Sequence, residues 1–70
     1  MRMAATMGEL RARFMKAYAS VPESLRGDII ALVDNKPYSW NAAFVEASSK
    51  TPLGDRIIKT LEDIGMFKGA

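Results

Sequence analysis

Seventy residues with ten lysines and arginines, eight acidic groups, no histidine and no cysteine make one small domain of net charge +2. The composition excludes disulfides, and it leaves a structural zinc site without its ordinary ligands. A chain this short buries only about 60% of its unfolded surface, so stability has to come from good packing or from a second copy.

Reading from the N-terminus, residues 1–5 are expected to be a flexible tail and residues 6–70 a single helical domain. Thr6 followed by Glu9 is a capping box. Met7, Leu10, Phe14, Ala17 and Tyr18 then recur at steps of three and four, predicting a helix over 7–19. Ser20-Val21-Pro22-Glu23 repeats the start signal, with proline tolerated in a first turn. Leu25, Ile29, Leu32 and Val33 form the next stripe. Gly27 weakens its middle, and Ile29–Val33 is rich enough in β-branched residues for a short strand. Length favours a helix over 22–33, ended by a left-handed Asn35 and stopped by Pro37. Ser39 caps a third helix over 40–49, with Trp40, Ala43, Phe44 and Ala47 as its stripe. Thr51-Pro52 opens a fourth over 52–64, with Leu53, Ile57, Leu61 and Ile64 inward and Gly65 at its end. Four short helices predict an all-α fold, a compact four-helix bundle or orthogonal helical array.

Chemistry is sparse. The residues that carry most acid–base and nucleophilic catalysis near neutral pH, histidine and cysteine, are missing. Glycines 8, 27, 54, 65 and 69 never cluster into a phosphate-binding loop. Asp55, Lys59 and Asp63 at successive i, i+4 steps read as a solvated face, and Glu62 and Asp63 point apart. Asp34 to Trp40 gathers polar, basic and aromatic side chains. Its expected role is architectural, with Trp40 anchoring the core and Tyr38 stapled near Ala43. A non-enzymatic protein without cofactor or metal is expected.

Two surfaces stand out. Ile30, Val45 and Ile58 lie about 110° off the centres of their stripes at 100° per residue, and Met66 and Phe67 follow the last helix. Helices that each touch two neighbours have wide apolar faces, which is one reading of these positions; the other makes the five the expected interaction surface for a protein partner or a homodimer. In residues 1–20, Arg2, Arg11, Arg13 and Lys16 outweigh Glu9, giving +3 there and −1 over the other fifty, so a basic patch is expected at that end. The longest apolar run, Ile29 to Val33, is five residues. A membrane span needs about 20, so no membrane partner is expected. The absence of cysteine fits a reducing compartment, with the cytoplasm as default.

The segment from Thr51 to Phe67 resembles the recognition helix of winged-helix transcription regulators. Thr51 opens it, Arg56-Ile57-Ile58 follows, and Leu61-Glu62 with Gly65-Met66-Phe67 leads toward the position of a wing, although only three residues remain after Phe67. The resemblance implies a helix-turn-helix-type DNA-binding protein, with Arg56 and Lys59 as reading or positioning groups on the 52–64 helix. Arg11, Arg13 and Lys16 would sit on backbone phosphates. Asp55, Glu62 and Asp63 on the same helix depart from the cationic surface that phosphate contact favours. The stretch from Val33 to Ala43, with Thr51, Leu53-Gly54 and Leu61, is similar to short, uncharacterised helical proteins of archaeal genomes, a resemblance that implies no activity.

Overall fold

The Thr6 capping box forms as a reciprocal pair. Thr6 N donates to Glu9 Oε1 at 2.8 Å and Glu9 N donates to Thr6 Oγ1 at 3.1 Å, which starts helix α1 (Met7–Ser20). The computed structural model describes residues 6–66; the expected tail at 1–5, and Phe67 of the expected interaction surface, lie outside them. After α1 the chain makes a single 3₁₀ turn (Glu23–Leu25), then strands β1 (Ile29–Val33) and β2 (Lys36–Ser39), then helices α2 (Trp40–Ser48) and α3 (Pro52–Asp63).

The architecture is therefore α+β, with three helices and a two-stranded antiparallel hairpin, and not an all-α four-helix array. The correction lies in 22–39. Asp34 and Asn35 both take left-handed backbone angles, φ 53° and 67°. Two consecutive residues of this kind make the turn whose twist matches a β-hairpin. Val33 is thus paired with Lys36 across a two-residue loop. The β-branched run Ile29-Ile30-Ala31-Leu32-Val33 gains a partner strand in Lys36-Pro37-Tyr38-Ser39, and that pairing outweighs whatever helical tendency its stripe carried. Pro37 ends no helix. Opposite Leu32, one step from the closing pair, it occupies a non-hydrogen-bonded position where its missing N–H costs the ladder nothing.

The other elements begin at their caps. Ser39 Oγ accepts from Ala42 N at 3.1 Å. The first two amides of α2 reach back to the segment before β1, Trp40 N to Asp28 O at 3.2 Å and Asn41 N to Arg26 O at 3.0 Å. These bonds satisfy donors that a helix start otherwise leaves open. Lys50, left-handed at φ 55°, closes α2 with Lys50 N to Ala47 O at 3.1 Å and Thr51 N to Glu46 O at 3.3 Å, a Schellman pattern. Thr51 then caps α3 by accepting from Gly54 N at 2.9 Å while donating to Glu46 Oε1 at 2.6 Å. Gly65, at φ 88°, ends α3 in the same pattern, with Met66 N on Leu61 O at 3.0 Å.

The core is Leu10 and Phe14 of α1, Ala31 and Val33 of β1, Ala43 and Ala47 of α2, and Ile57, Ile58 and Leu61 of α3. Trp40 is half-buried at its margin, its ring 5.8 Å from that of Phe14. Small residues on α2 let α3 approach closely. A Cβ placed on Gly54 would lie 2.5 Å from the Glu46 carbonyl oxygen.

Two substitutions check this arrangement. Gly54→Ala should lower stability by about 1–3 kcal/mol through overpacking against backbone, although alanine is the better helix former by about 1 kcal/mol; a gain in the urea midpoint would mean the helices do not cross here. Asn35→Gly should hold or raise the midpoint and Asn35→Val should lower it by about 1–2 kcal/mol, because only the first residue enters the left-handed region freely. Equal loss in both would exclude the hairpin turn.

Candidate interaction surface

Alternation along β1 sends Ala31 and Val33 into the core and Leu32 to solvent. The register shifts between Ile29 and Ala31, and this bulge leaves Ile29 exposed and Ile30 half-buried. On α3, Ile57, Ile58 and Leu61 face inward; Arg56, Thr60 and Asp63 share a flank, and the C-cap residue Ile64 falls at the rim between that flank and the buried stripe at about 100° per residue. The flank lies beside β1: Arg56 bonds Asp34 at the hairpin tip. Between strand and flank runs an apolar groove of about 420 Å³ lined by Ile29, Ile30, Ala31, Leu32, Thr60 and Ile64. Ile29, Leu32 and Ile64 are 57%, 64% and 65% exposed, the three largest or equal-largest exposures of any big hydrophobic among the described residues. β2 contributes nothing to this groove.

The five residues expected to form the interaction surface divide. Ile30 lines the groove. Val45 is exposed, but on α2. Ile58 is fully buried and belongs to the core, and Met66 packs half-buried against it. Phe67 lies outside the described residues. Reasoning from a helical stripe placed Ile29, Leu32 and Ile64 inward, and the structure turns all three outward. Period-two alternation across Ile29–Val33 finds Leu32; it would group Ile29 with Ala31 and Val33, and only the bulge turns Ile29 outward.

The expected nucleic-acid contacts are dispersed and partly engaged. Arg11 Nη2 donates to Asp55 Oδ1 at 2.7 Å, tying α1 to α3 with the arginine largely covered. Its Nε is buried without a hydrogen-bond partner. Arg56 pairs with Asp34, and Lys59 with Glu62 at 3.4 Å. Arg13 and Lys16 are exposed on α1.

An aromatic group joins α1 to α2 elsewhere. Tyr18 stacks on Phe44 with centroids 4.3 Å apart, donates to Asn41 Oδ1 at 2.8 Å, and carries the Arg26 guanidinium 4.4 Å from its ring centre. Its polar and aromatic groups are occupied by one another, and Trp40 joins the edge of the group with its ring 6.5 Å from that of Tyr18.

No group of three or more acidic side chains is placed to hold a metal among the described residues. None of the helices among them is long and apolar enough to cross a membrane. Comparison with protein-family models, with curated proteins and with solved structures finds no match to this chain.

The capping box holds the Glu9 carboxyl below its ordinary value of 4.5, chiefly through the hydrogen bond from the Thr6 backbone and then through the Thr6 hydroxyl. The folded value is the lower one, so the contribution is complete above the ordinary value and disappears as pH falls through the folded value. Glu9→Gln keeps a capping side chain and removes the charge. Wild type should therefore exceed Glu9→Gln in urea midpoint at neutral pH, with the gap closing as pH falls below the ordinary carboxyl value of 4.5 and on through the lower folded value; a gap that does not change with pH would mean the charge plays no part.

Proposed function

We propose that this chain is a non-enzymatic protein-interaction module whose docking surface is the groove between β1 and α3. The observation that carries the reading is the gathering of Ile29, Leu32 and Ile64, all more than half exposed, around one concave apolar strip. Scattered single hydrophobics are ordinary on a protein surface. A contiguous patch beside a strand edge is the arrangement that peptide and protein partners use.

A helix-turn-helix role takes second place. The three-residue connection between α2 and α3 supports it. Against it, Arg11, Arg56 and Lys59 are engaged by acidic side chains and Asp63 stands on the α3 flank. Duplex binding that weakens steeply with salt would reverse this order. The lack of cysteine suits a partner met in a reducing compartment such as the cytoplasm.

A photoreactive phenylalanine analogue placed at Leu32 and, as control, at exposed Glu23 tests the docking surface in cells. Covalent adducts to a polypeptide are expected from position 32 and not from position 23. No adduct from position 32, or equal yield from both, overturns the reading.

A further inference from the structure

We propose that the occupant of the groove is a second copy of this chain, joined by antiparallel pairing of the two β1 strands about Leu32. The inference rests on the reading of the groove as a protein-docking surface and names its partner.

The backbone supplies the first argument. With a two-residue loop, Val33–Lys36 and Ala31–Tyr38 are the hydrogen-bonded pairs, and Leu32–Pro37 is the non-hydrogen-bonded pair between them. The N–H and C=O of Leu32 therefore point away from β2, toward the free edge of the sheet. A twofold axis through Leu32 lets the residue donate to and accept from Leu32 of the second copy. Both outward groups are satisfied at once, and the contact is isologous. Side chains directly opposite in such a pair share a face, so the two exposed leucines pack against each other.

The second argument is the difference between the two edges. β2 places Pro37 at the position matching Leu32, so its outward edge has no N–H to offer there. β1 carries no charge and no proline from Ile29 to Val33, two of the devices that guard an exposed edge, and its bulge lies at the Ile29 end, before the Ala31–Val33 stretch that holds Leu32.

Charge supplies the third argument and the direction. Around the hairpin turn, beyond one end of the groove, stand Lys36 and Arg56 against Asp34, a net of +1. The other end carries Asp28 at the start of β1 and Asp63 on the α3 flank, a net of −2. Antiparallel pairing sets the basic end of each copy beside the acidic end of the other. Parallel pairing would set like beside like. The product is a four-stranded sheet built from two hairpins, and three or more strands are what independent stability of a sheet requires.

The full chain has no cysteine, so a single introduced thiol reports one contact. Facing residues in a hydrogen-bonded antiparallel pair have Cα atoms about 5.5 Å apart, within disulfide range. Leu32→Cys should form a disulfide-linked dimer under mild oxidation at least about tenfold faster than Val45→Cys, whose exposed site on α2 is the control. Light scattering of the wild type should give a dimer mass at about 100 μM. Leu32→Lys should weaken association at least about tenfold, while leaving circular dichroism and the unfolding midpoint of the dilute protein unchanged. A monomeric wild type with equal crosslinking at the two sites overturns the proposal, as does faster linkage through Val45→Cys. A full chain that stays monomeric while Phe67→Asp dimerises would give the groove to the chain's own C-terminal segment instead. If adducts at position 32 join another polypeptide to a monomer, self-pairing fails and the docking surface survives. If position 32 yields neither adduct nor dimer, both fail.

Discussion

Asp34 and Asn35 sit side by side in a region of backbone space that most residues avoid, and the rest of the hairpin follows from that reversal. A two-residue loop fixes Val33 against Lys36, and from there the register is determined. Ala31 and Val33 face the helices, Leu32 faces solvent, and Pro37 falls where no ladder bond is needed. A slip of one residue would exchange these faces, exposing Val33 and burying Leu32. The core has no large space on that side, since its β contribution is an alanine and a valine. Turn geometry and core volume thus select the same register.

The helical layer shows how a chain of this size packs without a disulfide. The largest fully buried side chains are Phe14, Ile57, Ile58 and Leu61, so α1 and α3 supply most of the core volume. α2 contributes Ala43 and Ala47, and its closeness to α3 depends on Gly54 having no side chain. Close backbone approach replaces side-chain bulk. Each helix start has a side-chain acceptor, and α2 and α3 end in left-handed caps. Few backbone groups are left for water or strain to claim.

The three helices were legible because their signals are local. Thr6 with Glu9, Ser39 and Thr51 with Pro52 mark the starts, and the ends fall within one residue of expectation. The hairpin was not legible in the same way, and the reason is specific. Asn35 favours the left-handed region whether it ends a helix or turns a hairpin, and Pro37 interrupts a helix as readily as it tolerates a non-hydrogen-bonded strand position. Both residues carry one physical preference with two structural outcomes. What separates the outcomes is non-local, the pairing of β1 with Lys36–Ser39. Once 22–33 is read as helix, its faces follow a period of 3.6 instead of 2. Leu32 then enters the predicted core, whereas the exposure of Ile29 and the partial burial of Ile30 come from the bulge before Ala31, which neither period contains. Ile64 went astray differently. It lies at the rim of the α3 stripe, 65% exposed, because β1 covers only part of that flank.

The distribution of exposed hydrophobics bears on why such a groove persists in a small fold. A domain with little interior gains most from burying every large apolar side chain it has. Among the described residues Leu25 and Val45 are exposed singly, whereas Ile29, Leu32 and Ile64 are left out together, beside the one strand edge whose central amide and carbonyl face outward, while the opposite edge is closed by Pro37. Chance exposure would scatter them. Strand pairing at that edge and burial of those three side chains would remove two costs with one contact, the unsatisfied backbone pair and the wetted apolar strip. The hairpin that corrects the predicted fold is therefore also what creates the surface. With β1 read as a helix, Leu32 has no outward peptide group and no free edge to stand beside.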